Sequence, residues 1–86
     1  MSHWIVLCQQ VVGGQHSPFE IVYNFDHRYF STRGQAIKHG FKIRGSDDFN
    51  VAEVEGGKVT RFFWMDEEMK DIHDLEAINE QHSFTP

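Results

Sequence analysis

The chain has 86 residues, of which 40% are hydrophobic, 14% aromatic and 24% charged, and its net charge is −5 at pH 7. This much apolar material excludes a disordered chain, and a length below the usual domain of about 100–150 residues leaves room for one core, so residues 1–86 are expected to form a single small domain. No apolar run approaches the roughly 18 residues that a membrane-spanning helix needs, so no membrane contact is expected.

The first half of the chain begins with two predicted strands. Residues 4–12 are rich in β-branched side chains and end at the turn signal Gly13-Gly14. Residues 19–25 alternate in the period of a strand, with Phe19, Ile21, Tyr23 and Phe25 on one face. The segment between them, Gly-Gly-Gln-His-Ser-Pro, is longer than a tight hairpin loop, so the sequence predicts an antiparallel pair without fixing its register.

A short helix is predicted after the first hairpin, over residues 32–40. Ser31 or Thr32 can cap this helix, and Thr32 and Gln35 have the spacing of a capping box, in which hydroxyl and carboxamide groups satisfy the free amides of the first helical turn. Gly40 is expected to end the helix in the left-handed conformation that glycine adopts readily. The apolar stripe of this helix consists of Ala36, Ile37 and Phe41.

The second half of the chain is predicted to form another hairpin and another helix. Gly56-Gly57 is a favoured two-residue hairpin turn, and it joins expected strands over residues 49–55 and 58–65. The register consistent with the side chains pairs Glu55 with Lys58, Val54 with Val59, Val51 with Phe62, and Phe49 with Trp64. A helix is predicted over 67–80, because apolar residues recur there at helical spacing behind three carboxylates.

These elements define an α+β fold of the order ββαββα, with a four-stranded, mainly antiparallel sheet and two short helices on one face. The last residues, 81–86, are expected to be a frayed tail. A single cysteine, Cys8, permits no intrachain disulfide and favours the cytoplasm, where this thiol would serve as a small buried hydrophobic group.

The sequence contains no recognisable catalytic or metal motif. Its six histidines lack the spacing of zinc ligands, and no phosphate-binding loop, dinucleotide fingerprint or nucleophile triad is present. The pattern therefore predicts neither a metal site nor a cofactor, and an enzyme is the least supported class of protein. A small enzyme with an unrecognised site stays the third hypothesis.

Charge is distributed unevenly along the chain, with net values of −1, +4 and −8 over residues 1–25, 26–45 and 46–86. In the middle segment cations alternate with aromatic residues, a combination that can neutralise phosphates and stack on bases. Nucleic-acid binding is therefore the second hypothesis. Its candidate residues are Arg28, Arg33, Lys38, Lys42 and Arg44.

The leading hypothesis is a cytoplasmic, nonenzymatic module that acts through protein contacts, as a homodimer or with another protein. Both faces of the second hairpin are apolar, and one layer of helices cannot cover both. The face expected to stay bare, and so to form the interface, consists of Phe49, Val51, Phe62 and Trp64. Size alone suggests a bacterial or phage accessory protein.

Overall fold

A computed structural model of the chain describes residues 2–85. Its elements, in chain order, are strands β1 (His3–Gly14) and β2 (Ser17–Phe25), helix α1 (Arg33–Arg44), strands β3 (Asn50–Glu55), β4 (Lys58–Trp64) and β5 (Glu67–Met69), and helix α2 (Ile72–Gln81). The α+β class, the two helices and the antiparallel pairing are confirmed. The strand count and order were wrong, since the described residues form five strands in the order ββαβββα.

The five strands form one sheet in the order β2-β1-β3-β4-β5, and each neighbouring pair is antiparallel. The first hairpin is tighter than expected, because β1 continues to Gly14 and β2 begins at Ser17. A break in the register between Val12 and Gly14 accompanies positive φ angles of 93° at Gly13 and 130° at Gly14. The two glycines therefore lie inside the bulged end of the strand rather than forming the loop.

The two helices cover opposite faces of the sheet, which corrects the expectation of one helical layer. Ile5 and Leu7 of β1 belong to a buried cluster with Ile78 of α2. Val6, which points the other way in the same strand, belongs to a second buried cluster with Ala36 of α1. The sheet is therefore the middle of three layers, and each of its faces has a hydrophobic core of its own.

The register of the second hairpin changes at a bulge. The pairs Glu55 with Lys58 and Val54 with Val59 are as predicted. The register then shifts between Glu53 and Val54, so that Val51 pairs with Phe63 instead of Phe62. Such a bulge opposes two residues of one strand to one of the other, which exchanges the faces of the side chains beyond it.

The side-chain amides of Asn79 and Gln81 in α2 form hydrogen bonds to the backbone of the sheet. Asn79 bonds beside the bulge in β4, and Gln81 bonds to the edge strand β2. Beside the bulge, the Val59 N–H donates to Asn79 Oδ1 at 2.8 Å and Asn79 Nδ2 donates to the Val59 carbonyl at 2.9 Å. At the outer strand β2, the Tyr23 N–H donates to Gln81 Oε1 at 2.8 Å and Gln81 Nε2 donates to the Ile21 carbonyl at 2.9 Å. These bonds replace missing strand partners and fix α2 on its face of the sheet.

Helix α1 begins as predicted and ends later. Thr32 is its N-cap, with the side chain accepting from the Gln35 N–H. The left-handed residue that ends it is Gly45, with φ 72°, rather than Gly40. Gly40 is buried in the helix interior, where an added Cβ would overlap the ring of Phe49. Its role is close packing of α1 on the sheet.

Helix α2 begins later than predicted, and the chain after it packs against the core as far as Phe84. Residues 67–69 form β5 against β4, and Asp71 caps the helix by accepting from the His73 N–H. Phe84 is fully buried and its N–H donates to the Gly57 carbonyl at 3.1 Å. The expectation of a frayed tail over 81–86 is therefore corrected as far as Phe84, and Pro86 lies outside the described residues.

Two glycines of α1 give a matched prediction. Gly40→Ala is expected to lower the free energy of unfolding by about 1–3 kcal/mol, the usual cost of overpacking, because its methyl group would displace Phe49. Gly34→Ala is expected to raise it by up to about 1 kcal/mol, since an added Cβ would lie 4.0 Å from its nearest neighbour, Thr32 Oγ1, and alanine favours helix. Urea unfolding of both variants checks this, and equal effects of the same sign would contradict the packing of Gly40.

Anchoring of the chain end gives a second prediction. Phe84→Ala is expected to cost about 3 kcal/mol of unfolding free energy, as for a buried phenylalanine, whereas Ser83→Ala at the exposed neighbouring position should change it by less than about 0.5 kcal/mol. Chemical denaturation at constant pH measures both. A loss below about 1 kcal/mol for Phe84→Ala would mean that the tail does not belong to the core.

Candidate functional site

The apolar interface predicted from the second hairpin is not a surface of the folded chain. Phe49, Val51 and Phe62 are 4%, 0% and 1% exposed, and only Trp64 is open, at 43%. The bulge places Phe62 in the core under α2, while Val51 belongs to the core under α1. The four side chains therefore form no common patch, and the physical premise for an interface there, a face left bare, does not hold.

Three of the five predicted basic residues come together. Arg28, Lys38 and Lys42 line a shallow groove of about 840 Å³ between α1 and the segment that precedes it. The groove has an aromatic and polar lining as well as a cationic one. Its other lining residues are Tyr29, Phe30, Ser31, Gln35, His39 and Phe41.

Arg33 and Arg44 do not line this groove. The Arg33 guanidinium lies 4.8 Å from the ring centroid of Phe63, a cation–π contact at the core under α1. Arg44 pairs with Asp48, with Nη2 and Oδ2 3.0 Å apart, and its Nε donates to the Asp48 carbonyl. These two cations therefore have structural contacts within the chain, and the groove depends on the other three.

Within residues 2–85 the cations of the groove have no carboxylate partner. Residues 27–46 contain no aspartate or glutamate. The preceding carboxylate, Asp26, is paired with His39, whose Nε2 lies 2.7 Å from Asp26 Oδ2. Across residues 2–85 no ion pair involves Arg28, Lys38 or Lys42. Their charges are available to an anion in solution.

Backbone contacts fix the two walls of the groove. The Trp4 N–H donates to the Phe30 carbonyl at 2.7 Å and the Phe30 N–H donates to the Trp4 carbonyl at 2.8 Å, which attaches the segment before α1 to strand β1. The opposite wall is α1 itself, held by its Thr32 cap and by Gln35, whose Oε1 accepts from the Ser31 N–H at 3.0 Å. The groove is therefore built on ordered backbone.

Three aromatic rings line the groove at different depths. Tyr29 and Phe30 are half-buried, and the Phe30 ring centroid lies 5.0 Å from that of His39. Phe41 is 41% exposed on α1, between Lys38 and Lys42 in sequence. Planar apolar surface thus lies beside free positive charge. The alternation of cations and aromatics along the sequence indicated this, but not that Ser31, Gln35 and His39 would complete the lining.

The opposite side of the molecule is acidic. Residues 71–81, which include α2, contain Asp71, Asp74, Glu76 and Glu80 and neither lysine nor arginine. Helix α1 contains four cations and no carboxylate. Because the helices lie on opposite faces, the charge asymmetry of the sequence becomes a separation across the sheet, which would orient a polyanion toward α1.

The titratable groups with shifted pKa values do not converge on one place. Burial raises the pKa of the Cys8 thiol, which packs against the core under α1. Burial and the Asp74 carboxylate raise the pKa of Tyr23 to about 12 in the other core. Within residues 2–85 no three metal-ligating side chains cluster, and no helix is long and apolar enough to cross a membrane.

Comparison with protein-family models, with curated protein sequences and with solved structures finds no match for this chain. The chemistry of the groove is therefore the guide to function. What the groove offers is three free cations, three aromatic rings and hydroxyl and amide side chains on a fixed backbone.

Proposed function

We propose that this protein is a binding module for single-stranded nucleic acid, which it holds in the groove between α1 and residues 28–31. The observation that carries the proposal is the presence of three unpaired cations and three aromatic rings on one surface. This site contains part of the basic set predicted from the sequence, and it excludes Arg33 and Arg44.

The groove supplies both interactions that a single strand requires. Arg28, Lys38 and Lys42 would neutralise phosphates and release their counterions, which gives affinity without regard to sequence. Phe41, the most open ring of the groove, would stack on a base, an interaction that every base can make. Ser31 and Gln35 would bond to sugar or base edges.

A single strand fits these features better than a duplex does. Stacking on Phe41 needs an accessible base face, whereas the bases of a duplex are stacked on one another. Three cations are also too few for the broad phosphate contacts typical of duplex binding. The overall charge of −5 and the acidic α2 face restrict the attraction to the α1 side.

Binding of a protein partner through the second hairpin is not supported by this geometry. Phe49, Val51 and Phe62 would have to leave the core before another chain could reach them. Trp64 remains accessible and lines a separate cavity at the end of the sheet. The single cysteine still favours the cytoplasm as the compartment in which the module acts.

Charge reversal tests the cationic part of the site. Lys38→Glu and Lys42→Glu are each expected to weaken binding of a fluorescein-labelled dT15 or rU15 strand about tenfold, because each loses a phosphate contact and adds a repulsion. Fluorescence anisotropy at several salt concentrations measures this. The slope of log K against log salt concentration should become less negative by about 0.7 for each lysine that is replaced.

Lys70→Glu is the matched control, since this exposed lysine has no ion pair in residues 2–85 and lies outside the groove. It changes the net charge equally and should leave affinity within about twofold. Equal loss in all three variants would indicate a nonspecific charge effect, and tighter binding of a 15-base-pair duplex would contradict the preference for single strands.

Stacking is tested separately. Phe41→Ala is expected to weaken binding at least about fivefold with an unchanged salt slope, as for loss of one base–aromatic stack. Ile43→Ala, an exposed apolar position of the same helix outside the groove, should have no such effect. If Phe41→Ala and Ile43→Ala bind the strand with equal affinity in the same anisotropy assay, stacking on Phe41 does not contribute to binding.

A further inference from the structure

A second cavity, of about 280 Å³, lies at the end of the sheet where β3 and β5 begin and β4 ends. It shares no lining residue with the groove on α1. Among the described residues, neither lysine nor arginine lines it. The lining residues that carry the argument are Gln9, Asp48, Asn50, Trp64, Glu67 and Met69.

Trp64 presents a fixed aromatic surface to this cavity. Its Nε1 donates to the Asp47 carbonyl at 3.0 Å, which holds the orientation of the indole and uses its one hydrogen-bond donor. The Trp64 residue is 43% exposed. An indole face attracts cations more strongly than the other aromatic side chains do.

Each carboxamide nitrogen in the cavity donates one hydrogen bond within the chain. Gln9 Nε2 donates to Asn50 Oδ1 at 3.2 Å, and Asn50 Nδ2 donates to the Phe63 carbonyl at 3.2 Å. Asn50 is 7% exposed, so these bonds lock the amides in place. The carbonyl oxygen of Gln9 forms no such bond to another side chain within residues 2–85 and can still accept.

Two carboxylates complete the set of acceptors. Glu67 is exposed and makes no ion pair within residues 2–85. Asp48 uses one oxygen for Arg44, and its side chain is still 81% exposed. The cavity therefore combines a tryptophan face with carboxylate and carbonyl acceptors, and each of its carboxamide nitrogens already donates one hydrogen bond within the chain.

We infer that this cavity binds a guanidinium group, as in an arginine side chain. A guanidinium has five N–H donors and no acceptor, which complements the free acceptors. Its planar shape stacks on an indole and can bond to a carboxylate through two parallel hydrogen bonds. An ammonium group shares the charge but lacks the flat face. The inference is independent of the proposed nucleic-acid site.

The test is a titration of the full chain with N-acetyl-arginine amide, followed by the indole N–H signal of Trp64 in a ¹H–¹⁵N NMR spectrum. A saturable shift of this signal is expected, while that of Trp4 should stay in place. The lysine analogue should bind about tenfold more weakly, because it cannot stack or form the bidentate contact. The uncharged citrulline analogue should give no saturable shift.

Two variants make the test specific to the cavity. Glu67→Gln keeps the shape of the side chain and is expected to weaken arginine-amide binding about tenfold by removing a charge-assisted bond. Glu76→Gln, the same change on exposed helix α2, should leave it unchanged. Dispersion of the backbone amide signals confirms that each variant is folded.

Equal binding of the citrulline analogue, or unchanged affinity in Glu67→Gln, would overturn the inference. A peptide with one central arginine separates two sources of the group. Tighter binding of the peptide than of arginine amide would identify an arginine on a protein, and equal binding would identify a small guanidinium compound. If neither N-acetyl-arginine amide nor the arginine peptide gives a saturable shift, the inference is also overturned.

Discussion

Both faces of one antiparallel sheet are apolar, and each must be covered before the chain can fold as a stable unit. The alternation of β1 shows this constraint directly, since Ile5 and Leu7 belong to one core and Val6 to the other. Each face packs against a helix of the same chain. The apolar side chains of β3 and β4 are thereby buried within the chain, apart from Trp64.

This three-layer arrangement also determines where function can reside. Helix α1 packs closely through Ala36 and Gly40, so that Lys38, Phe41 and Lys42 remain on its outer side. Helix α2 carries the acidic residues to the other side of the sheet. A chain with a net charge of −5 thus acquires a local cationic groove, which its composition alone would not suggest.

Local sequence signals predicted local structure well. The Gly56-Gly57 turn and the Thr32 cap are short-range features whose geometry follows from two to four residues, and both are present. The start of the helix predicted over 67–80 is wrong, because residues 67–69 pair with β4 in spite of their helical periodicity. Met65, which lies between β4 and β5, adopts a positive φ of 56°.

The features that sequence reasoning missed depend on contacts between distant residues. The bulge that redirects Phe62 adjoins Val59, whose backbone bonds to Asn79, and Phe84 reaches back to Gly57. Which face each helix covers is likewise decided by packing across the whole chain. For the site, the run of cations was visible in the sequence, but the separation of Arg33 and Arg44 from the groove required the fold.

The most direct test of this account is the set of nuclear Overhauser contacts of two side chains in the isotopically labelled protein. The account predicts that the Ala36 methyl group contacts the core of Val6 and Val51, while the Ile78 methyl groups contact that of Ile5 and Phe62. Contacts of both Ala36 and Ile78 with the same set of strand residues would place the helices on one face. That result would contradict the three-layer arrangement and, with it, the groove on α1.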